Sequence, residues 1–162
     1  MYKKILAPLD GSDLAECTLQ HVREIASSCG TAEVILLTVM NLNLPQTDSW
    51  GLPMAEAIAS AEKEKKRQRI IRPVLDYLTR QSSKLQDAGL NVKTELLEEG
   101  PDQKTPEVIL LYARDNDIDL IIISSHGRSG ISRWAFGSVA DKVVSHSTVP
   151  VLTVVPKGCR IA

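Results

Sequence analysis

Between Ser124 and Ser138 the chain reads SSHGRSGISRWAFGS, a segment that gathers three glycines, two arginines, one histidine and five serines. Connections between elements are usually about four to six residues long, so this one is long for a plain link. Its residue types suit the holding of an anion. Glycine lets backbone N–H groups turn toward a ligand. Gly137-Ser138 leads into a predicted helix, whose N-terminus adds unpaired donors and partial positive charge. Arg128 and Arg133 offer countercharge, and Ser129 and Ser138 offer hydroxyls. A plainer reading of the same residues stays open: the glycines make turns, and Ser138 caps the helix in a Ser138-x-x-Asp141 capping box.

Other chemistry finds less support. There is no G-x-x-x-x-G-K-[ST] phosphate loop, and no G-x-G-x-x-G follows the first strand. His126 follows Ser125, but neighbours on an extended chain point apart, so no nucleophile–base pair is expected. His21 and His146 fall on predicted helices, and no carboxylate cluster suits a metal pair. No catalytic residue and no protein-held metal are expected. Asp10 either helps organise a cation that comes with a ligand or caps the local turn.

The elements that must position these residues alternate regularly. Lys3 to Leu9 is a short apolar run ended by Asp10-Gly11-Ser12. Leu14 to Ser28 has helical spacing and stops at Gly30. Ala32 to Met40 is β-branched and nearly all apolar, as expected of a strand buried on both faces. Asn41 to Pro53 reads as a loop. A helical tract follows from Ala55 to Asp87, with a kink or break expected at Pro73. Its charged run from Glu62 to Arg69 mixes glutamate with lysine and arginine, which reads as a solvated helix face. Leu90 to Leu97 is a third strand. Thr105-Pro106 has the form of an N-cap followed by proline, opening a helix to Asn116. Asp119 to Ser124 is the fourth strand, Ser138 to His146 a helix, and Val149 to Pro156 the fifth strand. Alternation of this kind implies an α/β fold, a doubly wound parallel sheet with helices on both faces. In such sheets ligands bind beyond the carboxyl ends of the strands, where the strand order reverses.

Composition narrows the function classes. The 162 residues are 43% hydrophobic and read as a single domain, residues 1–162, with a packed core. Lysine plus arginine number 19 against 20 aspartates plus glutamates, so no net field draws nucleic acid or an anionic membrane. Aromatics are 4%, too few for base-stacking platforms. Three cysteines, Cys17, Cys29 and Cys159, form no C-x-x-C, and a reducing cytoplasm is expected. No apolar stretch approaches the ~20 residues of a membrane span, and the start MYKKILAPLD does not read as a signal peptide.

The spacing S-x-x-G-x9-G-S from Ser124 through Gly127 to Gly137-Ser138 resembles the G-x-x-G-x9-G-[ST] signature of the universal stress protein family, in its ATP-binding branch. KKILAPLDGSDLAE, DNDIDLIIISSHGRSG and GSVADKVVSHSTVPVLTVV resemble the family's opening and closing segments, so the likeness spans the chain. It implies a five-stranded parallel sheet in the order 3-2-1-4-5 and a homodimer. It also implies an adenine nucleotide, ATP or AMP/ADP with Mg²⁺ as companion. The residues expected around it are Pro8, Asp10 and Ser12 after the first strand and Val39 and Met40 at the second. From the long loop come Ser124, His126, Gly127, Arg128, Ser129 and Gly130, then Gly137, Ser138 and Val139. The chain departs from the pattern twice. Ser124 replaces the first signature glycine, which is sterically acceptable if φ stays negative. The loop after Gly100-Pro101 is longer than the family's short Gly-x-Pro.

With that strand order, strands 3 and 5 are the sheet edges. Lys93, Glu95, Glu98 and Glu99 protect the first. Val151 to Val155 carries no charge, and Pro150 opens it, so a two-fold partner is expected to cover that edge and Val154→Lys to disrupt it. The function expected is a cytoplasmic ATP-binding stress-response or signalling module in which the nucleotide is ligand or switch. The alternative is a nucleotide-independent dimeric interaction protein of the same fold. An enzyme acting on an adenine nucleotide is a third and weaker reading.

Overall fold

The computed structural model describes residues 1–42, 53–126 and 137–155, with the side chains of residues 53–59 outside that description. Ten elements follow in order: β1 (Lys4–Pro8), α1 (Asp13–Glu16), α2 (Thr18–Cys29), β2 (Glu33–Met40), α3 (Pro53–Gln86), β3 (Val92–Glu98), α4 (Thr105–Asp115), β4 (Leu120–Ser124), α5 (Ser138–His146) and β5 (Val151–Val154). The strands form one five-stranded sheet in the order β3-β2-β1-β4-β5. Every pairing is parallel: Ile5 lies opposite Val34 and Leu120, Val34 opposite Val92, and Ile121 opposite Val151.

The sheet is buried on both sides because its strands carry apolar residues at consecutive positions. Period two sends Ile5, Ala7, Val34, Leu36, Leu120 and Ile122 to one face, against Leu19, Val22 and Ala26 of α2 and Leu78 and Leu85 of α3. Leu6, Ile35, Leu37, Ile121 and Ile123 go to the other face, against Ile109 and Ala113 of α4 and Ala140 and Val143 of α5. Leu36 is fully enclosed, and its truncation to alanine costs about 2–5 kcal/mol on the usual scale for such sites.

Several local expectations are corrected. The first helix is divided at Cys17, which keeps right-handed helical dihedrals (φ −58°, ψ −21°), so the path of the chain is retained. Its stop at Gly30 holds, with that residue left-handed (φ 62°, ψ 44°). α3 runs through Pro73 without a break. Proline there denies a hydrogen bond to the carbonyl of Arg69, and because Arg69 is exposed that carbonyl is on a side where solvent can reach it. The cap of α4 is Lys104 rather than Thr105, with Pro106 in the first turn. Gly137, not Ser138, caps α5, with extended dihedrals (φ −59°, ψ 149°) and no side-chain cap bond. The strand expected from Val149 to Pro156 is the shorter β5. Val154 is only 7% exposed and belongs to the first core face, so a lysine there would disturb packing rather than test the edge. Cys159, Pro156 and most of the 41–53 loop lie outside the described residues.

Candidate functional site

β1 and β4 are neighbours, and their carboxyl ends diverge to helices on opposite faces. A cavity of about 290 Å³ opens there. Pro8, Leu9 and Asp10 line it from the end of β1, Leu37 and Val39 from β2, and Ile123, Ser124, Ser125 and His126 from the end of β4. Thr105 and Ile109 of α4 and Gly137 to Ala140 of the α5 start complete the lining, with Ala15 from α1.

Local chemistry fixes each wall. Gly11 takes φ 81°, a left-handed turn that suits glycine. That turn brings Ser12 back onto Asp10: its N–H and hydroxyl both donate to Asp10 Oδ1, at 2.9 and 2.6 Å. Ser12 Oγ in turn accepts the Ala15 N–H at 3.2 Å and so caps α1. The Leu9 N–H donates to the Leu37 carbonyl at 2.8 Å, and the Thr38 hydroxyl donates to the Leu9 carbonyl at 2.9 Å. Those bonds stitch the end of β1 to β2.

On the β4 side the Ser125 N–H donates to the Val154 carbonyl at 2.8 Å, and the Ser125 carbonyl accepts the Gly137 N–H at 2.7 Å. The start of α5 is thereby docked directly on the β4 end. Gly137 permits that approach, since a Cβ there would lie 3.3 Å from the Ser125 carbonyl oxygen. Ser125 Oγ and His126 Nδ1 are 2.9 Å apart. The expectation that these neighbours point away from each other therefore fails: the chain leaves the strand after Ser124, and strict alternation ends with it. The Ser124 hydroxyl accepts the His126 N–H at 3.4 Å.

Thr105 meets Glu99, just past the end of β3. Its N–H and hydroxyl both donate to Glu99 Oε1, at 2.8 and 2.6 Å. These bonds, the hydroxyl first, hold the Glu99 carboxyl below its ordinary range against the opposing effect of burial. The α4 start, which lacks a side-chain cap from Lys104, is thus capped from β3.

Of the residues expected at a ligand, Pro8, Asp10, Val39, Ser124, His126, Gly137, Ser138 and Val139 line this one cavity. Ser12 stands behind Asp10, and Met40 is absent from the lining. Period two turns Met40 to the face opposite Val39, and its carbonyl accepts the Glu99 N–H at 2.8 Å. Gly127, Arg128, Ser129 and Gly130 lie outside the described residues. Sequence reasoning missed Leu37, Ile123, Ser125, Thr105 and Ile109, along with Leu9, Ala15 and Ala140. Leu37 was readable by stepping two residues back along β2 from Val39, whereas Ile123 and Ser125 flank the named Ser124. Thr105 and Ile109, four apart on one helix face, needed only the rule that helix starts gather at the strand carboxyl ends. Among the described residues no group of three or more His, Cys, Asp or Glu side chains could hold a metal ion, and no helix is long and apolar enough to cross a membrane.

Comparison with known proteins agrees with this architecture. The universal stress protein MJ0577 of Methanocaldococcus jannaschii is 31% identical over 98% of this chain and 98% of its own. A solved structure of MJ0577 superposes with a TM-score of 0.75 at 29% identity, covering 97% of this chain and 98% of the other. Two more distant structures share the fold. One is a universal stress protein in complex with cAMP (TM-score 0.64, 19% identity, 94% and 96% covered), and the other is from Archaeoglobus fulgidus in complex with dAMP (TM-score 0.55, 22% identity, 94% and 97% covered). A family model described as the universal stress protein family matches residues 1–155, and the chain belongs to that family.

Proposed function

We propose that the chain, as one α/β domain, is an ATP-binding stress-response or signalling module. In it the adenine nucleotide acts as ligand or switch rather than as a substrate turned over quickly. The observation that carries this reading is the two-sided cavity. Leu37, Val39, Ile109 and Ile123 give it an apolar wall suited to a flat base. Gly137 and Ser138 line its other end at the start of α5, where no described side chain caps the helix. Donors left without an acceptor at a helix N-terminus favour phosphate. Asp10, held by Ser12, stands between the two ends as an acceptor for ribose hydroxyls. Relatives solved with cAMP and dAMP support an adenine nucleotide in this fold.

Mg²⁺ would enter with the phosphates rather than on a protein cage of its own. Catalysis has little to draw on: Ser125 is 1% exposed and its hydroxyl is engaged with His126. We also propose a homodimer through β5. Pro150 and Val154 turn their carbonyls to β4, so the alternating residues Val151 and Thr153 present backbone groups on an open edge. The cytoplasm is the compartment that suits the free thiols Cys17 and Cys29.

The test is calorimetry of dialysed protein with Mg-ATP, alongside mass spectrometry of the supernatant from freshly denatured protein. Saturable binding, or ATP or AMP carried through purification, is the expected result. No heat and no thermal shift at millimolar Mg-ATP would overturn the nucleotide reading and leave the dimeric interaction protein in its place.

A further inference from the structure

We infer that Glu99 is a positioning residue that sets the width of the cavity at its base end. Its carboxylate grips two walls at once. Oε1 accepts the Thr105 N–H and hydroxyl at 2.8 and 2.6 Å, and Oε2 accepts the Asn41 side-chain amide at 2.8 Å. Thr105 lines the cavity from the start of α4, and Asn41 follows β2 two residues after the lining Val39. Glu99 itself is fixed on β2, since its N–H donates to the Met40 carbonyl at 2.8 Å. A flat ring seated between Val39 and Ile109 therefore lies in a slot whose two sides are joined through one side chain. Glu99 is not among the described residues that line the cavity; it acts through Thr105 and Asn41.

The preceding loop gives the start of α4 little other anchorage. Glu99 to Lys104 separates β3 from α4, and inside it the Gln103 N–H reaches the Gly100 carbonyl at only 3.4 Å. Lys104 supplies no side-chain cap. Nothing else described in that loop fixes the first residue of α4 against the sheet.

The inference rests on the adenine-nucleotide reading of the cavity, so the experiment separates the two. Affinities for Mg-ATP and for adenosine are measured by calorimetry on the wild type, Glu99→Ala, Glu99→Gln and Asn41→Ala. Glu99→Ala is expected to weaken both ligands by the same factor, about tenfold, because the loss falls on the base end. Glu99→Gln restores binding to within about twofold, since its amide oxygen accepts from Thr105 and its NH₂ donates to a flipped Asn41. Asn41→Ala, an exposed site that does not endanger folding, weakens both ligands about threefold.

Equal binding by wild type and Glu99→Ala, loss of ATP affinity without loss of adenosine affinity, or a Glu99→Gln variant as weak as Glu99→Ala would each overturn the inference. If the wild type binds neither ligand, the nucleotide reading falls, and the clasp is decided by NMR hydrogen exchange at the Thr105 amide. Slow exchange in wild type and Glu99→Gln with faster exchange in Glu99→Ala upholds it; equal rates in all three overturn it.

Discussion

Substituting Gly137 with alanine tests packing and ligand approach at the same atom. At φ −59° the backbone accepts any residue, so no left-handed strain enters. The added methyl carbon meets the Ser125 carbonyl oxygen at 3.3 Å and the His126 Cα at 3.7 Å. Neither neighbour yields easily: the Ser125 carbonyl accepts the Gly137 N–H at 2.7 Å, and the Ser125 N–H is tied to Val154 at 2.8 Å. Opening that contact by a few tenths of an ångström belongs at the low end of overpacking, about 1–2 kcal/mol. Removing a glycine from the unfolded chain returns about 0.4–1 kcal/mol. The net loss is about 1 kcal/mol, or ~2–4 °C in Tm for a chain of this length. The shift also moves the start of α5 away from β4 and sets a methyl group in the cavity. Loss of one hydrogen bond to a charged phosphate oxygen, at about 1.5–3 kcal/mol, weakens ATP roughly ten- to 150-fold. Thermal unfolding and calorimetry on the same preparation read both effects. A lowered Tm with unchanged ATP affinity would refute the claim that the close approach at Gly137 serves a ligand. An unchanged Tm would refute the packing argument itself.

Ser124→Gly restores the family signature. Ser124 is paired in β4 and has no positive φ, so the change should leave ATP affinity within about twofold and cost about 0.5–1 kcal/mol of strand stability in urea unfolding; a large gain in affinity would show that the serine obstructs. Thr153→Pro removes an N–H from the open edge of β5 while sparing the carbonyls that face β4, and should convert a dimer to monomer in sedimentation; an unchanged mass places the interface elsewhere. Asp119 accepts the Lys4 and Lys3 N–H groups, each at 2.8 Å, and these bonds, Lys4 first, hold its carboxyl below the ordinary 3.8. A carboxyl lowered by folding adds stability that is complete above its unfolded value and is lost as pH falls through its folded value. Urea midpoints should therefore drop below pH 3.8, and Asp119→Asn should be less stable at pH 7 and flatter in that acid window; parallel curves for the two proteins would refute the assignment.

How far the sequence was readable follows from how local each determinant is. Alternating apolar strands and helices fix the doubly wound class, because they depend only on short-range periodicity. The strand order was not readable in that way; it came with the resemblance to a family and was then found in the sheet. Caps were misread where the competing group was distant. Ser138 lost the cap of α5 to Gly137, which alone could dock on the Ser125 carbonyl. Thr105 was drawn inside α4 by Glu99, six residues earlier in the chain and at the end of another element. The Ser125–His126 contact was missed because alternation was extended past the last residue of the strand. Pro73 was expected to kink or break α3; the helix is unbroken, because an exposed turn can leave one carbonyl to solvent.

That proline divides α3 into two tiers of stability. The helix spans 34 residues, about 50 Å. Its buried contacts among the described side chains, Ile71, Leu78, Gln81, Ser82 and Leu85, begin two residues before Pro73 and lie mostly beyond it. From Ser60 to Ile70 the side chains are exposed apart from Arg67, which reaches out to Glu98 in a surface ion pair. Such an exposed pair adds little to stability. Unwinding that starts ahead of Ser60 meets a missing rung at Pro73, where the hydrogen-bond ladder loses a link. Backbone amides between Ser60 and Pro73 should therefore exchange faster than those after Leu78, whose opening requires loss of buried contacts with the sheet. The protein thus carries a helical arm whose melting is expected to leave the cavity at the ends of β1 and β4 untouched, since no described side chain of α3 lines it.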